Sequence, residues 1–158
     1  MLEVRSIQFT QDQARTVTGV SAETVRHWRK AIPYLSFKTG KSARFTFAEL
    51  LGLAITHELV NSFGLHIAIM STAVDAMFRL LTASGPTALH DAIVFITSTE
   101  ATLCETTAEG IGRAPTKAAL VIPLAPLIAR IQRRMLPVMP AHGQTVLPFP
   151  PEVVRSRV

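Results

Sequence analysis

Between Ile7 and Ile69 the apolar positions recur in short blocks broken by polar turns. Ile7 and Phe9 alternate with polar neighbours and predict a short strand. Thr10 is placed to cap a helix from about Gln11 to Val17, with Ala14 and Val17 facing inward. Gly19 marks a tight turn, since glycine tolerates positive φ. Ser21 caps a second helix, on which Val25, Trp28 and Ile32 stand three and four apart and, with Val20, predict one buried face. Pro33 ends it. Leu35 to Phe37 and Ala43 to Phe45 read as the arms of a β-hairpin turned by Lys38-Thr39-Gly40-Lys41. Thr46-Phe47-Ala48-Glu49 is a capping box opening a third helix, with Leu50, Leu51, Ala54, Leu59 and Phe63 as its stripe and Gly64 as its stop. A fourth helix over 65–82 carries Ile67, Met70, Val74, Met77, Phe78 and Leu81. It ends at Ser84-Gly85-Pro86, too early for sustained heptads.

The second half changes character. Ala92 to Thr97 is a β-branched and aromatic run that predicts a buried strand, with Thr102 to Thr106 pairing across the Ser98-Thr99-Glu100 turn and Ala119 to Ile122 adding a third. Glu109 to Pro115 reads as a loop. Leu124 to Met135 reads as an amphipathic helix with Leu127, Ile128, Ile131 and Met135 on one face and Arg130, Arg133 and Arg134 near its end. Residues 137–158 hold five prolines and predict an extended tail. The expected fold class is α+β: an N-terminal winged helix-turn-helix with its following helix (1–84), a second small α/β unit (85–136) and the Pro-rich tail (137–158).

Charge sharpens this picture. The net charge is +5 and the pI about 10.1, which favours an anionic partner. Residues 1–64 carry eight Lys/Arg against five Asp/Glu, 65–116 two against five, and 117–158 six against one, so the middle is not where phosphates are expected. Cys104 is the single cysteine, and a buried structural thiol is the expected state; the absence of an intrachain disulfide suits a reducing compartment. The longest apolar run, Ala118 to Ala129, is too short for a bilayer, and no signal-peptide pattern is seen, so a soluble cytoplasmic protein without membrane contact is expected. His27, His57, His66, His90 and His142 lack metal-ligand spacing, and no Gly-rich phosphate loop, Gly-x-Ser-x-Gly turn or suggestive acid pair appears. No metal, cofactor or enzymatic activity is therefore expected.

A helix, a Gly turn and a second helix with arginines along it is how a protein presents one helix to the major groove of double-stranded DNA. Helix 22–31 is the expected recognition helix. Its outward positions are Ala22, Glu23, Arg26, His27 and Lys30, with Ser21 at its start and Thr24 able to bond a phosphate. The small residues allow close approach, and Arg26 suits guanine or phosphate because a guanidinium can make two bonds to either. Lys38, Lys41 and Arg44 make the 34–46 hairpin a basic wing over the DNA backbone. Trp28, at helical spacing from Val25, reads as core rather than as a base-stacking residue.

This order resembles the DNA-binding domain of the MerR family of transcription regulators. The matching residues are Phe9-Thr10, Ala14, Val17, Thr18-Gly19-Val20-Ser21, Thr24-Val25-Arg26, His27-Trp28, Arg44-Phe45 at the end of the wing, Thr46 before the third helix and Gly64-Leu65-His66 before the fourth. The resemblance implies a sequence-specific transcription regulator working as a homodimer. It does not extend to the long coiled coil or the cysteine-rich metal site of that family. Helix 65–82 and the C-terminal unit are the expected dimerising parts, and that unit is also a candidate for a protein partner or small-molecule effector. Two other readings stay open: an excisionase-like architectural DNA binder, and a helix-turn-helix scaffold used for protein–protein interaction.

Overall fold

Three capped helix starts frame the N-terminal half of the computed structural model, which describes residues 7–107 and 115–135. Strand β1 (Gln8–Thr10) runs directly into helix α1 (Gln11–Thr18), where Thr10 and Gln13 form a reciprocal capping box. Gly19 takes φ 77°, and its N–H bonds back to the Arg15 carbonyl, so the chain turns within one residue. Ser21 then caps α2 (Ala22–Arg29) by accepting from the Thr24 N–H at 3.1 Å. Thr46 and Glu49 form the capping box of α3 (Phe47–Asn61).

The hairpin expected over 34–46 does not form. Pro33–Phe37 is a 3-10 turn instead. Proline at its first position has no N–H to give a ladder and presets a helical φ. The Tyr34 N–H is taken by Asp75 Oδ1 at 2.7 Å, and Leu35 is fully buried. The second expected arm survives as β2 (Arg44–Thr46). It pairs antiparallel with β1, placing buried Phe9 opposite buried Phe45.

Helix α3 is the central post. Leu50, Leu51, Leu53, Ala54, Ile55 and Leu59 are all buried, so its apolar surface is wider than the stripe read from the sequence, and Phe63 lies beyond it at 54% exposure. A helix that is apolar nearly all round must be enclosed on several sides. Here α1, β2, α4 (Ile67–Ala83) and α6 (Leu124–Met135) enclose it. The approach of α4 is close: a Cβ on Gly52 would lie 2.4 Å from Phe78 Cε1. The α4 stripe of Ile67, Met70, Val74, Met77, Phe78 and Leu81 is buried within the chain. It is therefore not free to dimerise.

A short helix α5 (Pro86–His90), not anticipated from the sequence, leads into a three-stranded antiparallel sheet of order β4-β3-β5. Strand β3 (Ala92–Ile96) is central, with β4 (Ala101–Glu105) and β5 (Leu120–Pro123) at its edges. Ala92, Val94 and Ile96 point inward and join α4 and α6 in one continuous hydrophobic core that runs from Phe9 to Ile131. Among the described residues there are six α-helices and two small antiparallel sheets, and no helix is long and apolar enough to cross a membrane. Most of the expected 109–115 loop and the whole 137–158 tail lie outside the described residues.

Candidate nucleic-acid interface

On α2 the two faces separate cleanly. Val25 and Trp28 are 3% and 2% exposed and, with Val20 and Ile32, lock the helix onto the core. Glu23, Arg26, His27 and Lys30 are exposed, while Ala22 and Thr24 are half-buried at the edge. The Arg26 and Lys30 side chains make no ion pair or hydrogen bond among the described residues. Ser21 and Thr24 are joined to each other by a 2.8 Å hydroxyl–hydroxyl bond, which spends part of their polar capacity on the cap. His27 lines a cavity of about 210 Å³ with Trp28, Val60, Leu65 and His66.

The basic loop beyond the 3-10 turn is held by two arginines, one of which, Arg29, the sequence did not place there. The Arg29 guanidinium donates to the Lys38 carbonyl, tying the end of α2 to the loop across nine residues. The Arg44 guanidinium donates to the carbonyls of Lys41 and Ala43 at 3.1 and 3.0 Å, which closes the loop while leaving the side chain exposed. Lys41 is exposed, and its side chain has no partner among the described residues.

Lys38 is placed differently. Its ammonium lies 3.0 Å from Glu49 Oε1, donates to the Arg44 carbonyl at 2.7 Å and sits 5.7 Å from the centroid of the Phe45 ring. Glu49, 4% exposed, also accepts from the Tyr34 hydroxyl at 2.8 Å and from the Thr46 N–H at 2.7 Å. One buried carboxylate thus gathers the loop, the 3-10 turn and the start of α3. Burial, reinforced by the bond to Glu49, pushes the Tyr34 hydroxyl up from 10.0 to about 12. Tyr34 in turn stacks on Phe78, centroids 5.2 Å apart, which carries the network to α4.

The structure therefore brings Arg26, Lys30, Lys41 and Arg44 to the surface as uncompensated cations and keeps Lys38 for the scaffold. Arg29 and Glu49 are the residues that sequence reasoning missed as organisers. The capping box announced Glu49 as a helix start, but nothing local announced its bond to Lys38.

A further basic element comes from far along the chain. Helix α6 packs on α1 and α3. Arg130 pairs with Glu58 at 2.8 Å, and Arg134 Nη1 lies 3.4 Å from the Val17 carbonyl. The hydroxyl of Ser62 and then the Arg130 guanidinium hold the Glu58 carboxyl below its ordinary 4.5. Among the described residues no three His, Cys, Asp or Glu side chains converge as a metal site, and Cys104 is buried in β4. No protein-family model matches the chain. No curated protein matches it either.

Proposed function

We propose that this protein is a non-enzymatic, sequence-specific transcription regulator of MerR-like winged helix-turn-helix type that binds double-stranded DNA as a homodimer. One observation carries the reading. Helix α2 is anchored by Val25 and Trp28 on one side and offers Glu23, Arg26, His27 and Lys30 on the other, with Arg26 and Lys30 unpaired among the described residues. A rigidly held helix with free cations outward is what entry into a major groove requires.

In this mechanism α2 enters the groove from its capped N-terminal end. Arg26 donates two bonds to guanine O6 and N7, and Glu23 accepts from a cytosine amino group. Lys41 and Arg44 approach the phosphates from the loop that Arg29 ties to α2. Lys38 shapes that loop by holding Glu49. A single module of this size reads few base pairs, so tight binding needs two copies on half-sites about 34–36 Å apart, or a multiple of that spacing.

Selection from a random double-stranded DNA pool at near-physiological salt tests the proposal. An enriched motif with two-fold symmetry supports it. Failure to enrich any motif, with only weak and salt-sensitive retention, rejects it.

A further inference from the structure

The last turn of α6 lies against the end of α1, just before the bend that leads into α2. Arg134 Nη1 is 3.4 Å from the Val17 carbonyl and 3.8 Å from where a Cβ on Gly19 would stand. One turn earlier, the Arg130–Glu58 ion pair fixes α6 on α3. Arg133 is exposed and has no partner among the described residues. Arg15, on the last turn of α1, is likewise exposed and unpartnered. Glu58 of α3 is already paired with Arg130. Asp12 lies three residues before Arg15 on α1 but forms no ion pair with it among the described residues. Arg134 thus comes from far along the sequence to the helix-turn-helix bend, with Arg133 beside it on α6 and Arg15 four residues before Gly19 on α1.

We propose that Arg133 and Arg134, with Arg15, form a second phosphate-binding surface for the DNA backbone beside the N-terminal end of α2. This rests on the reading of α2 as the recognition helix. A duplex seated on that end carries its sugar–phosphate strand past the bend, because base edges there lie between two backbones. The end of α1 is the negative pole of its helix dipole and by itself would repel a phosphate; Arg134 on the Val17 carbonyl reverses the sign. Such contacts position the protein without reading sequence.

The test uses the full chain, a mixed-sequence double-stranded DNA fragment and the motif duplex obtained by selection. Affinity is measured against salt concentration for the wild type, R133A/R134A and R133K/R134K. The double alanine variant is expected to lower the salt slope by about two units, since each neutralised phosphate contributes about 0.9. It loses affinity equally on both DNAs and keeps the selected motif, and the lysine variant retains the slope. An unchanged slope with intact motif binding overturns the proposal and leaves the α2 reading standing. A lowered melting temperature with an unchanged slope assigns Arg134 to holding α6 alone and also overturns it. If R133A/R134A does not fold, R133A removes an exposed side chain with no hydrogen bond or ion pair among the described residues and is expected to cost about one unit of slope; no change there rejects the proposal. A wild type that binds no DNA removes both the proposal and the reading beneath it.

Discussion

The ammonium of Lys38 stands 3.0 Å from Oε1 of Glu49, whose side chain is 5% exposed. The pair joins a surface loop to the first turn of the central helix. Removing the carboxylate strands a half-buried cation and the Tyr34 hydroxyl. Glu49→Ala is therefore expected to cost about 2–3 kcal/mol in urea unfolding, below the figure for a fully buried pair because Lys38 keeps some solvent. Lys38→Ala is expected to lower stability while moving the salt slope of DNA binding less than Lys41→Ala, which removes about one unit. Equal slopes for the two variants would return Lys38 to the phosphate contacts.

Arg26→Ala tests the recognition face. It is expected to relax preference at one guanine by about 1–3 kcal/mol and leave the melting temperature nearly unchanged, since the exposed Arg26 side chain makes no hydrogen bond or ion pair among the described residues. Repeating the pool selection with this variant reads the effect. An unaltered motif would take Arg26 out of base recognition.

Gly52→Ala adds a methyl group 2.4 Å from Phe78 Cε1. Alanine favours helix by up to about 1 kcal/mol, but overpacking costs about 1–3 kcal/mol, so net destabilisation is expected. Phe78 has little room to yield because it stacks on Tyr34. Phe78→Leu in the Gly52→Ala background should recover part of the loss in thermal melts, and additive losses would contradict the clash.

Glu58 gives a pH test. Its carboxyl lies below 4.5 in the folded chain because of Ser62 first and Arg130 second. A depressed carboxylate contributes stability above its unfolded pKa and loses it as pH falls through the folded value. Ser62→Ala and Arg130→Ala should each lower the unfolding free energy read from urea melts at neutral pH, by under about 1 kcal/mol for a pair that keeps part of its solvent. The difference from wild type should begin to shrink near 4.5 and vanish once the pH has fallen below the lower, folded value. A difference that persists there would point to packing rather than charge.

Trp28 is the single tryptophan and is 2% exposed. Its emission should be that of an apolar environment and should survive DNA binding without stacking-type quenching. Strong quenching on a short duplex would mean that Trp28 leaves the core to meet a base.

Local rules made much of the N-terminal half readable. The caps at Thr10, Ser21 and Thr46 are bonds between residues three apart, and the Gly19 turn and the Val25–Trp28 face are equally short-range. The strands near Ala92, Ala101 and Leu120 were legible from β-branched runs between turns. The 34–46 segment misled for a physical reason. Two apolar arms around the Gly40 turn predicted a hairpin, but Pro33 has no N–H, and Asp75, on another helix, claims the Tyr34 N–H. Strand β2 found its partner in β1, across two intervening helices.

By itself the sequence determined where the capped helices α1, α2 and α3 start, the buried face of α2, and that the two ends of the chain are basic, because these depend on neighbours within a few residues. Only the tertiary structure decided which basic residues remain free. It turned Lys38 inward onto Glu49, left Arg26, Lys30 and Lys41 outward, and carried Arg134 to the carbonyl of Val17. A side chain is placed by whatever partner packing brings within hydrogen-bond reach, a carboxylate eleven residues away for Lys38 and a neutral carbonyl 117 residues away for Arg134.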